Sequence, residues 1–261
     1  MKIRLFQVDA FTDILFKGNP AAICPLDSWL GEPLLQAVAA ENNLSETAFF
    51  VKREPYYELR WFTQKAEVDL CGHATLASAY VIFNYLDPSP DTVHFHTKSG
   101  PLSVARQDDL LAMTFPARPG VPCEAPEILS EALGVPPGEC LLSRDYLVVF
   151  DSEETIKAIS PAMDKLAALD CLGVIISAPG TRSDFVSRFF APKVGVPEDP
   201  VTGSAHCTLI PYWAERLGKT NLHALQLSER GGELFCEQLG DKVRIAGRAV
   251  VFLEGFISLT P

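Results

Sequence analysis

No stretch of this 261-residue chain approaches the ~20 consecutive apolar residues that a membrane-spanning helix requires. The N-terminal segment Met1 to Asp9 alternates polar and apolar residues like a strand. It meets an acid before the apolar core of a secretion signal could form, so a soluble protein is expected. Runs of Lys or Arg are missing as well. With 33 acids against 22 bases and a formal charge of −11, nothing here could track a phosphate backbone, and nucleic acid is excluded as an expected partner. The seven cysteines, at positions 24, 71, 123, 140, 171, 207 and 236, include no Cys-x-x-Cys pair. An odd, scattered set in mostly apolar surroundings fits reduced thiols in a cytoplasm. Clustered metal ligands are lacking too: the close pair His94 and His96 has the spacing of one strand face, and no metal is expected.

What the chain does contain is ample apolar material, 48 % of its residues, and an internal repeat. A shift of about 131 residues places Glu67-Val68-Asp69-Leu70-Cys71-Gly72-His73-Ala74-Thr75 on Glu198-Asp199-Pro200-Val201-Thr202-Gly203-Ser204-Ala205-His206. Each copy reads as an acid-containing loop, a glycine, then a helix. Upstream, Leu59-Arg60-Trp61-Phe62-Thr63 faces Ser187-Arg188-Phe189-Phe190-Ala191 once a small insertion is allowed, giving each copy a strand that enters the loop. Downstream, Lys98 to Leu102 faces Arg230 to Leu234, and Leu110 to Phe115 falls on Lys242 to Gly247, both as strand, turn, strand units.

Each half is therefore expected to be a strand-rich unit of about 120 residues with its own apolar helix. The first helix, Ala74 to Phe83, is apolar nearly all round, the mark of a helix surrounded by protein. The second runs from about Ser204 to Leu217, ends at Gly218, and carries Pro211, which is expected to kink it. Four prolines and a glycine between Pro116 and Pro126 suggest a boundary. The expected domains are 1–117 and 118–261, the final strands being free to pair back to the first domain, with a cleft between the two.

Both glycines open a helix, where unpaired backbone N–H groups and the positive end of the dipole can grip a carboxylate. Each end contributes about 0.3–1 kcal/mol when exposed and up to ~2 when partly buried. A tight turn would explain one such glycine; its repetition at Gly72 and Gly203 favours binding. His73 and Ser204 follow the glycines at equivalent places. Ser204 suits N-capping as well as substrate binding, and His73 suits a neutral hydrogen-bonding role or a structural one. Asp199 lies in the rigid loop Pro197-Glu198-Asp199-Pro200-Val201, placed to orient a histidine or share its proton, whereas Glu198 reads as a solvated loop acid. Glu46 stands where a helical stretch gives way to an apolar strand. Burial there would move a carboxyl toward proton exchange near neutrality, the bland alternative being a solvated edge-strand acid.

Five segments, Gln7-Val8-Asp9-Ala10-Phe11-Thr12, Gly18-Asn19-Pro20-Ala21-Ala22, Asn43 to Phe49, Cys71 to Thr75 and Asp199 to His206, together resemble the phenazine-biosynthesis PhzF-like family over nearly the whole chain. The resemblance implies an α+β, diaminopimelate-epimerase-like fold. Its two pseudo-symmetric halves would each wrap a sheet around a central helix, with the active site between them. It also implies a cofactor-free isomerase that moves a proton between carbons of a small carboxylate-bearing substrate. Glu46 would be the acid/base and His73 and Asp199 would assist, while Gly72, Gly203, Ser204 and Cys71 would line the substrate. A homodimer is compatible with the same resemblance. Related epimerases place a cysteine before each helix-start glycine. This chain has Cys71 in one copy and Thr202 in the other, and a hydroxyl is far too weak a base to replace a thiolate. An amino- or hydroxy-acid epimerase using Cys71, and a non-catalytic carboxylate-binding protein, stand as alternative readings. Cys71 itself reads either as a reactive thiol or as a small buried residue.

Overall fold

The structure, a computed structural model, describes residues 1–259. The chain divides into two units, Met1–Thr114 with Ala246–Pro261, and Phe115–Ile245.

The first unit contains β1 (Lys2–Ala10), β2 (Asn19–Leu26), α1 (Glu32–Asn42), β3 (Glu46–Arg53), β4 (Tyr56–Phe62), β5 (Glu67–Val68), α2 (Gly72–Val81), β6 (Thr92–Thr97), β7 (Gly100–Gln107) and β8 (Leu110–Pro116). Along the sheet, β1 pairs antiparallel with β2, β2 parallel with β3, β3 antiparallel with β4, β4 parallel with β6, and β6 antiparallel with β7. The closing strand, Ala249–Ser258, returns to this unit and pairs antiparallel with β1 along its whole length. The turn from β1 into β2 depends on Gly18. Its φ is +65°, and a Cβ there would sit 2.2 Å from the Ala10 carbonyl oxygen, which no side chain tolerates.

Helix α2 packs against β1, β2, β3, β7 and the closing strand, as its all-round apolar pattern predicts. It holds buried Thr75 and Ser78 without an energetic penalty for their hydroxyls. Thr75 Oγ1 donates to the Cys71 carbonyl at 2.6 Å and Ser78 Oγ to the Ala74 carbonyl at 2.7 Å. The helix begins two residues before the expected Ala74, and Ile82–Leu86 continues it as a π-helical turn.

The second unit contains β9 (Val121–Pro122), α3 (Glu127–Leu133), β10 (Glu139–Leu142), β11 (Tyr146–Val149), α4 (Glu153–Ala158), α5 (Met163–Ala167), β12 (Val174–Pro179), β13 (Phe185–Ala191), β14 (Val196–Asp199), α6 (Gly203–Leu217), β15 (Asn221–Gln226), β16 (Gly232–Leu239) and β17 (Lys242–Gly247). Here β10 pairs antiparallel with β11, β11 parallel with β12, β12 antiparallel with β13, β13 parallel with β15, and β15 antiparallel with β16. The alternation of senses repeats that of the first unit strand for strand. Short β14 lies antiparallel on β13 as β5 lies on β4. The sequence repeat is thus a repeat of pairing topology.

Pro211 does not end α6, which continues to Leu217 and closes on Gly218 at φ +65°. The proline removes the donor that the Cys207 carbonyl would otherwise receive. Arg118 N–H supplies one instead, at 2.8 Å. Against the strands, the Trp213 ring stacks on Phe185 with centroids 5.7 Å apart, and its Nε1 donates to Ser177 Oγ at 2.9 Å. A large apolar side chain is thereby buried without leaving its polar atom unsatisfied.

Candidate active site

In the first unit the acid and the helix start come together. Glu46 is the first residue of β3, held opposite Ala21 of β2. His73 is the second residue of α2, after Cys71 in the cap position. Glu46 Oε2 lies 3.2 Å from His73 Nε2, with the two side chains 18 % and 7 % exposed, so Glu46 is not a solvated edge-strand acid. The contact falls short of an aligned hydrogen bond. Both atoms are buried without a hydrogen-bond partner among the described residues, which leaves each able to engage a third group.

On the other edge of the ring, His73 Nδ1 lies 3.5 Å from Cys71 Sγ. Burial opposes charge on this imidazole more than any other influence. The Cys71 sulfur and the Glu46 carboxylate together outweigh it and hold the His73 pKa well above its ordinary value. The shift runs opposite to the lowering that a helix start alone would impose. For Cys71 the balance runs the other way. Burial first, and then the charge of Glu46, push the thiol up, against weaker help from His73 and the Ala74 amide.

Donor atoms of Glu46, Cys71 and His73 lie within 4.8 Å of one another, a set of types that a thiophilic divalent ion can use. The imidazole has one nitrogen near each of the other two, Nδ1 near Cys71 and Nε2 near Glu46. The pair His94 and His96 lies exposed on β6: His94 Nδ1 meets Ser103 Oγ at 2.9 Å, and His96 stacks on Tyr56.

The second unit presents the equivalent loop and helix start. Thr202 Oγ1 donates to Asp199 Oδ2 at 2.6 Å, so this hydroxyl is engaged with the acid. Buried Gln226 ties the loop together. Its Oε1 accepts from Thr202 N–H at 2.8 Å, and its Nε2 donates to the Asp199 carbonyl at 2.8 Å and to Thr202 Oγ1 at 3.1 Å. Ser204 Oγ accepts from Arg144 Nη2 at 3.0 Å, and the same guanidinium is held by buried Asp145 at 2.7 Å. A cation thus stands beside the start of α6, where the dipole is also positive. A Cβ added at Gly203 would meet nothing within 4 Å, so neither packing nor a positive φ demands glycine there.

Both loops are pinned by a bidentate ion pair at equivalent places. Arg60 of β4 holds Glu67 with two contacts of 2.7 Å, and Arg188 of β13 holds Glu198 at 2.7 and 2.9 Å. Glu198 is therefore a structural acid, correcting the expectation of a solvated one. Arg188 also donates to the Ile156 and Ile159 carbonyls, anchoring α4 to the same strand. Neither Arg144 nor Gln226 was singled out from the sequence. The pairs Arg60–Glu67 and Arg188–Glu198 are legible in the repeat once the small insertion between strand and loop is allowed.

His206, four residues beyond Thr202, is fully buried, and its Nδ1 donates to the Thr202 carbonyl at 2.8 Å. Burial brings its pKa down to about 4, against slight support from that carbonyl. Between the unfolded value near 6.5 and about 4, the unfolded chain binds a proton that the fold refuses. Stability should therefore fall with pH across that window, by roughly 3 kcal/mol in all. Urea midpoints at pH 7.5 and 4.5 should separate less for His206→Gln than for the wild type; equal separation would remove His206 as the cause.

A duplicated α+β fold with a buried carboxyl and imidazole at a helix start fits the class of isomerases. The chain belongs to the phenazine biosynthesis-like protein family (PhzC-PhzF), whose model matches residues 8–255. It is 55 % identical over 259 residues to an uncharacterized isomerase of Pseudomonas aeruginosa, covering 99 % of this chain and all of that one. A PhzF-family crystal structure from Enterococcus faecalis superposes with a TM-score of 0.98 at 47 % identity, over 99 % of this chain and 100 % of the other. A hydroxyproline epimerase from Agrobacterium vitis, at 9 % identity and a TM-score of 0.62 over 99 % and 93 % of the two chains, shares the fold alone. The diaminopimelate-epimerase-like fold is thus shown. No helix among the described residues is long and apolar enough to cross a membrane.

Proposed function

We propose that the protein is a cofactor-independent isomerase that takes a proton from one carbon of a small carboxylate and returns it to another, with Glu46 as the acid/base. The observation that carries this reading is the buried 3.2 Å approach of Glu46 Oε2 to His73 Nε2, in which neither atom is committed to an aligned hydrogen bond. A carboxyl beside an imidazole puts two groups that can exchange a proton in one place, so a proton can be removed from carbon and restored within the site. Gly72, Gly203 and Ser204 are assigned to binding the substrate carboxylate, Arg144 supports Ser204 in that role, and Asp199 assists as the acid that Thr202 and Gln226 orient.

Incubating the protein in D2O with a panel of small carboxylates tests the reading directly. Deuterium should enter one substrate at carbon; a carboxylate that raises the melting temperature yet never acquires deuterium would point to a binding protein instead. The epimerase reading through Cys71 is less favoured, because burial and Glu46 both disfavour its thiolate. Iodoacetamide is accordingly expected to leave activity intact, whereas ligand-protected inactivation that Cys71→Ser abolishes would restore that reading.

Gly203→Ala separates binding from packing. Its methyl group meets no neighbour within 4 Å, so the melting temperature should stay within a few degrees of wild type. KM for the carboxylate should rise about tenfold or more as the methyl group occupies the approach to the helix start. An unchanged KM would remove Gly203 from the binding machinery.

A further inference from the structure

Cys123 and Cys140 lie outside the proposed chemistry and face one another. The register of β9 on β10 sets Pro122 opposite Leu141 and Val121 opposite Leu142. One step further, Cys123 falls opposite Cys140, and its N–H donates to the Cys140 carbonyl at 2.9 Å. Directly opposed residues in such a hydrogen-bonded pair have Cα atoms about 5.5 Å apart, within the separation that a disulfide spans. The two sulfurs are already 3.7 Å apart. Their surroundings differ: Cys140 is buried and Cys123 half-buried, so a reagent from solvent meets Cys123 first. Cys171 packs against the same core cluster, but no sulfur contact joins it to the pair among the contacts described.

We propose that Cys123 and Cys140 form a dithiol modification site that accepts a reversible disulfide from a small-molecule disulfide of the glutathione type. The Cys123 thiolate attacks one sulfur of the reagent, the reagent's S–S bond breaks, and the first small thiol leaves with a proton from solvent. Cys140 then loses its proton and attacks the Cys123 sulfur. The mixed disulfide breaks, and the second small thiol departs. Two protein thiols are oxidised by two electrons, and one reagent disulfide is reduced to two thiols. Burial, reinforced by the neighbouring Cys123, pushes the Cys140 thiol up to about 12, which sets the order of attack. Closing the sulfurs from 3.7 Å to a bond of about 2.05 Å is within reach of side-chain rotation at this strand spacing.

Oxidised glutathione is the probe for the test. After treatment, denaturation and alkylation, five of the seven cysteines should be alkylated, and peptide mapping should find one cross-link, Cys123 to Cys140, that dithiothreitol reverses. Cys140→Ser should retain glutathione on Cys123, whereas Cys171→Ser should leave the cross-link unchanged. Seven alkylated cysteines, glutathione retained by the wild type, or a cross-link through Cys171 would each overturn the proposal. Should Cys140→Ser fail to fold, the mapping of the wild-type chain decides by itself.

Discussion

Replacing Glu46 with Gln is expected to lower the rate of substrate proton exchange by about 10²–10⁴-fold, the usual contribution of a positioned acid/base. The amide keeps the shape of the side chain at the head of β3 and removes its ability to accept a proton, so the loss should fall on kcat with KM little changed. A second readout follows from the helix start. The Glu46 carboxylate helps hold the His73 pKa up against burial, so in Glu46→Gln the imidazole should titrate at lower pH, visible by NMR of the ring. The associated stability has a definite direction. Because the folded His73 value is raised, its contribution is fully present below the unfolded value near 6.5 and is lost as pH rises through the raised one. An exchange rate and a His73 titration both unaltered by the substitution would dismiss Glu46 from the chemistry.

Gln226→Leu is expected to destabilise the fold by about 2–4 kcal/mol, far more than one buried amide would suggest by size. The side chain makes three hydrogen bonds, to Thr202 N–H, the Asp199 carbonyl and Thr202 Oγ1. Leucine preserves volume but strands at least two backbone groups in a place that is 1 % exposed. The same change frees the loop that presents Asp199 and the first turn of α6, so activity should fall along with stability. Gln226→Glu keeps one acceptor and offers a control: it should restore part of the Thr202 contact but not the donor to Asp199. Urea midpoints and exchange rates for both variants check this; a stable but inactive Gln226→Leu would mean that the residue touches substrate rather than holding the loop.

The sequence made the repeat legible because the repeated elements carry their signals locally. Glycine after an acidic loop, the strand that precedes it and the apolar helix that follows can each be read within a dozen residues. Their pairing confirms it, strand for strand. Glu46 could be placed at the head of β3 for the same reason. What escaped the reading depends on partners far apart along the chain. Arg144 reaches Ser204 across 60 positions, and Gln226 reaches Thr202 across 24. Nothing in their immediate neighbours marks either as more than a surface cation or a strand amide. Glu198 was misjudged because loop acids are usually solvated, whereas this one meets Arg188 from the preceding strand. Pro211 removes a donor from α6, as its sequence implies. The distant Arg118 amide that replaces it cannot be read from the helix itself.

The pairing of β1 with the closing strand also dictates an order of events during synthesis. Residues 115–245 form a unit from one continuous segment, whereas the first 114 residues lack their last partner strand until 249–258 have been made. On a ribosome the later-encoded unit can finish folding while the earlier one still waits with the β1 edge unpaired. Truncation within the last dozen residues should therefore harm the beginning of the chain more than its middle.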